Sequence, residues 1–237
     1  MNHKKRYETA LRLSKELEEE HRDNLICCCL YGSTARGEDT HWSDLELFAV
    51  VKKEVKPRHL LIDMVPVGIN TITEARLIHI LENPGLEWPF YAGLVANLTV
   101  LSGNYSAPAR YYEAAMSVPK EKFKIALQRS LPELVFESWG RIFSCIARRK
   151  YEDIYCAVIE TLLEMKTALC LLNGKHVSRD YFEGIKESFG FEKKPKDYPK
   201  LATRLWNSHD PAAIAKDARE LMENYISLLK AEGIVPN

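Results

Sequence analysis

The stretch Leu30-Tyr31-Gly32-Ser33-Thr34-Ala35-Arg36-Gly37, followed after a short loop by Ser43-Asp44-Leu45-Glu46-Leu47, decides how the chain is read. An apolar run from Leu25 to Tyr31 predicts a strand that ends in a Gly-Ser turn, and a second apolar run carries two carboxylates one residue apart. Side chains alternate along a strand, so Asp44 and Glu46 share one face while Leu45, Leu47 and Ala49 share the other. Neighbouring carboxylates repel each other, which calls for a cation between them, and hard oxygen donors at this spacing suit magnesium. The turn supplies complementary chemistry. Gly32 lets a ligand approach the backbone, Ser33 offers a hydroxyl and an N–H to a phosphate oxygen, and Arg36 adds a guanidinium. Together these are the parts of a metal-assisted displacement at phosphorus.

Length and composition set the frame. The 237 residues allow one large domain or two small ones, and 46% hydrophobic with 28% charged residues is ordinary for a globular protein with a sizeable core. No membrane span is expected. Lys plus Arg equals Asp plus Glu at 33 each, which argues against a basic footprint for long nucleic acids and for a small acceptor molecule. The N-terminus, Met1 to Arg6, leads into charged residues and not into the apolar core of a signal sequence, so a cytoplasmic protein is expected. Its cysteines fit that compartment: Cys27, Cys28 and Cys29 on a strand and Cys145, Cys156 and Cys170 in helices, without C-x-x-C spacing, read as buried reduced thiols.

Along the chain, Tyr7, Ala10, Leu11 and Leu17 predict an amphipathic helix over 7–17 that covers one side of a sheet. After the carboxylate strand Leu45 to Val51, two strands are expected around Pro66, from Leu60 to Val65 and from Val67 to Ile72, with Thr73 capping a helix. Leu86 to Tyr91 is aromatic and reads as part loop, and Leu98 to Leu101 as the last strand. The second half is helical. Over Lys120 to Arg149 a broad apolar arc leaves a narrow strip with Glu133, Glu137 and Arg141 four residues apart, a surface ion pair or, if sunk in a cleft, the place for a general base. Tyr155 to Leu172 predicts a buried helix ended by Asn173-Gly174, with Glu160 and Glu164 one turn apart, and Asp210-Pro211 opens a final helix.

The pattern Gly32-Ser33-x-Ala35-Arg36-Gly37, then Ser43-Asp44-x-Glu46, with Ser33 and Asp44 eleven positions apart, resembles the signature of the DNA polymerase β-like nucleotidyltransferase superfamily. Phe136-Glu137-Ser138-Trp139-Gly140-Arg141 is similar to the segment of kanamycin (aminoglycoside) nucleotidyltransferases that carries the general base and, four residues later, a lysine near the phosphates. The resemblance extends faintly over nearly the whole chain, and only these two motifs are sharp. It implies an α+β architecture: a mixed-sheet nucleotidyltransferase domain over residues 1–115 and a helical substrate-binding domain over 116–237. It implies transfer of a nucleoside monophosphate from a triphosphate, ATP being expected, to a hydroxyl of a small acceptor such as an aminoglycoside, with magnesium and pyrophosphate release. By position Asp44 and Glu46 hold the metal, Gly32, Ser33, Arg36 and Arg141 bind the nucleotide, and Glu137 is the base. The superfamily adds a third carboxylate from a neighbouring strand. Asp63, the only acidic residue between Pro57 and Thr73, is expected as the third metal ligand; the competing position near Gly68 has no side chain. A homodimer is expected from the resemblance. Two other readings stay open: nucleotidylation of a protein partner, as in antitoxin-type relatives, and a nucleotide-binding module without turnover.

Overall fold

A computed structural model describes residues 1–179 and 181–234. The chain divides into two compact units, Met1–Asn83 with Phe90–Val118, and Pro84–Pro89 with Pro119–Asn237.

The first unit is built on a five-stranded mixed sheet in the order β3-β4-β2-β1-β5, counted among the described residues. Its strands are β1 (Leu25–Tyr31), β2 (Leu45–Val51), β3 (Arg58–Ile62), β4 (Val65–Thr73) and β5 (Thr99–Gly103). β2 and β4 run parallel, and the other pairs are antiparallel. The helix α1 (His3–His21) lays Ala10, Leu13 and Leu17 on the face formed by Cys28, Leu30, Leu45, Leu47, Ala49 and Val51. Its buried stripe is Arg6, Ala10, Leu13 and Leu17, whereas Tyr7 is exposed, so the helix is rotated from the expected setting. Each of these buried leucines contributes about 1.5–3 kcal/mol of burial energy. The opposite face carries Tyr31, Glu46, Phe48 and Asn70.

Pro66 lies inside β4 and does not separate two strands. It sits before the parallel pairing begins at Leu45 and Val67, where its missing N–H is not needed. The β3–β4 hairpin turns instead at Asp63 and Met64, both at positive φ (48° and 63°), the conformation that a two-residue hairpin requires. Thr73 caps α3 (Glu74–Glu82) through a bond from the Arg76 N–H, as expected. The aromatic stretch at Leu86 is not loop-like throughout, because Trp88 opens α4 (Trp88–Ala96) and is fully buried against Phe123, ring centroids 4.6 Å apart. The expected boundary at 115 and 116 falls within α5 (Ala107–Met116), and the compact units divide after it, between Val118 and Pro119.

The second unit is helical: α6 (Lys120–Ser130), α7 (Phe136–Ala147), α8 (Ile154–Asn173), α9 (Tyr181–Ser188), α10 (Tyr198–Asn207) and α11 (Pro211–Ala231). The helix expected over Lys120 to Arg149 is broken at Pro132, which has no N–H to continue the hydrogen-bond ladder of α6. The chain re-enters at Val135, which takes φ 74° and donates its N–H to the Glu164 carboxylate at 2.8 Å. The Ser138 hydroxyl donates to the same carboxylate at 2.5 Å, so Glu164 closes the start of α7. Val158, Leu162, Met165 and Leu169 of α8 are buried, and Gly174 ends that helix in the left-handed region. Asp210 caps α11 through the N–H groups of Ala212 and Ala213. Among the described residues no helix is long and apolar enough to cross a membrane.

Candidate active site

The register of the sheet assembles the first site. Glu46 on β2 stands between Tyr31 on β1 and Gly68 on β4, and Phe48 pairs with Asn70 one step along. The Asn70 amide donates to the Tyr31 hydroxyl at 2.8 Å, and that hydroxyl is hydrogen-bonded in turn to the Glu46 carboxylate. Burial first, then the charge and hydrogen bond of Glu46 and the charge of Asp44, push the Tyr31 phenol far above its ordinary range, against the Asn70 bond. Tyr31 therefore stays protonated and serves Glu46 as a donor.

β1 ends by turning sharply at Gly32, with φ 73°, into the four-residue helix α2 (Gly32–Ala35). A Cβ on Gly32 would stand 2.1 Å from Glu46 Oε2. The carboxylate thus lies directly against the bend, in space that only glycine leaves open. Ser33 is half-buried on the first turn of α2, and its carbonyl accepts from the Glu38 N–H at 2.9 Å. Arg36 follows, exposed, its Nε donating to Glu38 Oε2 at 2.9 Å.

The loop from the bend to Asp44 is fixed from below by Arg6. This arginine is 1% exposed, and its guanidinium donates to Asp39 at 3.2 Å and to the carbonyls of His41 at 3.0 Å and Ser43 at 2.8 Å. The Asp39 side chain is itself buried. The Ser43 hydroxyl accepts from the Thr40 N–H at 2.9 Å and closes the turn that delivers Asp44 to the start of β2. Asp44 is exposed and Glu46 half-buried.

Asp63 is not brought to this pair. It occupies the β3–β4 turn, and its carboxylate is held 2.5 Å from Lys5 Nζ of α1, the helix on the sheet face opposite Glu46. Lys5 holds the Asp63 carboxyl below its usual range. The residue beside Glu46 on the neighbouring strand is Gly68. Among the described residues, no three His, Cys, Asp or Glu side chains come together to hold a metal. Asp44 and Glu46 would offer a cation two carboxylates and leave its other positions to phosphate oxygens and water, as magnesium commonly is held.

The second motif lies on α7. Arg141 donates to Glu137 Oε1 at 2.6 Å and to both oxygens of Glu160 on α8 at 2.6 Å. The two carboxylates raise the Arg141 guanidinium further above its usual value, Glu160 more than Glu137. Within the helical unit Glu137, Arg141 and Glu160 have half-exposed side chains, so the expected burial of the strip in a cleft is not found there. Glu133 precedes α7, in the turn after Pro132, and does not continue the strip. Glu164, one turn from Glu160 on α8, is occupied by the Val135 N–H and the Ser138 hydroxyl.

Three contributors are not announced by the motifs. Asn70 shares the alternation of β4 with Gly68, whereas only the β1–β2 register brings Tyr31 beside Glu46. Arg6 lay on the helical spacing of Ala10, Leu13 and Leu17, which was legible, although a charged residue near a terminus ordinarily reads as solvated.

No protein-family description matches this chain, and no curated protein matches it. Solved structures do. A nucleotidyltransferase-like protein from Exiguobacterium sibiricum 255-15 superposes with a TM-score of 0.54 over 94% of this chain and 75% of its own, at 14% sequence identity. At that identity the likeness speaks for the fold: this chain has the architecture of a nucleotidyltransferase-like protein.

Proposed function

We propose that the chain transfers a nucleoside monophosphate from a nucleoside triphosphate, ATP, to the hydroxyl of a small acceptor such as an aminoglycoside, with release of pyrophosphate in the cytoplasm. The observation that carries this reading is the Glu46 carboxylate lying against the Gly32 bend, one residue pair from Asp44. A ligand at the bend would meet the Glu46 carboxylate beside it, which supports a shared site for a cation and a phosphate.

In this reading Asp44 and Glu46 hold a magnesium ion, which neutralises charge on the triphosphate when bound. Tyr31, itself held by Asn70, fixes the orientation of Glu46. The Gly32 bend and the Ser33 hydroxyl receive the β and γ phosphates. Arg36 joins them by exchanging Glu38 for a phosphate oxygen. The resemblance of the second motif gives Glu137 the role of general base toward the acceptor hydroxyl and Arg141 the role of a nucleotide-binding cation. A homodimer is part of this reading on the same ground. Asp63 is not, since its partner is Lys5.

Pyrophosphate release from ATP and magnesium, measured across a panel of aminoglycosides and candidate protein acceptors, tests the proposal. Acceptor-dependent release that is lost in Asp44→Ala supports it. Gly68 beside Glu46, where a third carboxylate would stand, favours a second reading of nucleotide binding without turnover. Triphosphate binding with no release against any acceptor would establish that reading and overturn the first.

A further inference from the structure

The helical unit carries a constellation that nucleotidyl transfer does not use. Cys145 of α7 and Cys156 of α8 line one surface groove of about 360 Å³ together with Arg148, Lys150 and Asp153 and the paired Arg141 and Glu160, so cations outnumber carboxylates there by three to two. The two helices form a hairpin joined through residues 148–153, and the Arg141 to Glu160 bridge fixes which levels face each other. Cys145 lies four residues beyond Arg141 and Cys156 four residues before Glu160. Residues four apart on a helix share a face, so the thiols occupy matching levels, one turn nearer the connection. Cys156 is exposed and Cys145 half-buried, whereas Cys27, Cys28, Cys29 and Cys170 are sealed in the two cores.

We propose that Cys145 and Cys156 are a modification site: a thiol pair that closes to a disulfide across α7 and α8 by exchange with an anionic low-molecular-weight disulfide. The guanidinium of Arg148 and the ammonium of Lys150 draw such a reagent to the groove. The exposed Cys156 attacks first as its thiolate. Its sulfur bonds to one sulfur of the reagent, and the other half leaves as a thiol. The Cys145 thiolate then attacks the Cys156 sulfur, forms the bridge and expels the second half of the reagent. Two protons pass from the cysteines to the two released thiols, and the reagent disulfide takes up the electron pair. The bridge ties α7, which carries Glu137 and Arg141, to α8 by a covalent bond in addition to the Arg141 to Glu160 contact. The expectation of six buried thiols therefore holds for the cores and fails for this pair.

Incubation of the full chain with oxidised glutathione, followed by intact-mass and peptide analysis, tests the proposal. The expected product has lost two hydrogens, retains no adduct, contains one peptide joining Cys145 to Cys156, and reverts on treatment with dithiothreitol. Cys145→Ser should strand a stable glutathione adduct on Cys156. Replacing Arg148 and Lys150 by glutamine should lower the rate with oxidised glutathione relative to neutral hydroxyethyl disulfide by about tenfold. An adduct retained on wild-type Cys156, adducts on both cysteines, or no reaction at either would overturn the pair. An unchanged rate ratio in the Arg148 and Lys150 variant would overturn the preference for an anionic reagent.

Discussion

Gly32→Ala isolates the contact on which the site is built. The new Cβ would stand 2.1 Å from Glu46 Oε2, so the carboxylate must retreat by roughly 1 Å, and a misplacement of that size in a catalytic constellation costs on the order of 100-fold in rate. The backbone at φ 73° adds about 1–2 kcal/mol of strain for a residue with a Cβ, small beside a domain stability of about 5–15 kcal/mol. The protein should remain folded, with a melting temperature lower by about 2–8 °C. Gly37→Ala is the control, since it has φ 68° but nothing within 4 Å of its added Cβ. It should show the same loss of melting temperature and keep its activity. The assay is pyrophosphate release at saturating acceptor beside a thermal melt of each variant. Equal activities for the two alanine variants, both folded, would refute the reasoning.

Three further outcomes follow from the same geometry. Arg6→Ala removes one partner of a buried ion pair and frees the loop that delivers Asp44; a loss of about 3–5 kcal/mol in a urea titration is expected, with weakened triphosphate binding in the fraction that folds. Asp63→Ala should leave transfer and melting temperature unchanged, because its partner Lys5 is exposed and the site lies elsewhere; a tenfold loss of transfer would return Asp63 to the metal. Burial pushes the thiols of Cys28 and Cys170 up to about 11 and about 12. Their folded values lie above the unfolded one, so their stabilising contribution is complete below the ordinary thiol range. Urea midpoints should therefore fall as pH rises from about 8.5 towards 12. A flat profile across that window would contradict the burial.

Much of this architecture was legible because local signals and tertiary demands agreed. The alternation expected for Leu45, Leu47, Ala49 and Glu46 is that of β2, and Thr73, Gly174 and Asp210 begin or end helices where caps were expected. The failures came where a tertiary partner overruled a local rule. Asp63-Met64 makes the hairpin turn without a glycine, so Pro66 attracted the boundary instead. Val135 at positive φ is tolerated because Glu164 and Ser138 hold it, which no local pattern in the sequence announces. Arg6 is buried because Asp39 and two carbonyls beyond the Gly-Ser turn meet it, partners more than thirty residues away. The third-carboxylate position illustrates both sides: Gly68 was visible as a candidate, but only the β2–β4 register puts it beside Glu46.

If Asp44 and Glu46 hold a divalent ion with a triphosphate at the Gly32 bend, nucleotide binding must respond to that ion through Asp44. Calorimetric titration of a non-hydrolysable ATP analogue into wild type and Asp44→Asn, each with magnesium and with chelator, tests it most directly. Binding to wild type should weaken at least tenfold without magnesium, and binding to the variant should not respond to the ion. Equal affinity in all four titrations, or full magnesium dependence in Asp44→Asn, would contradict it.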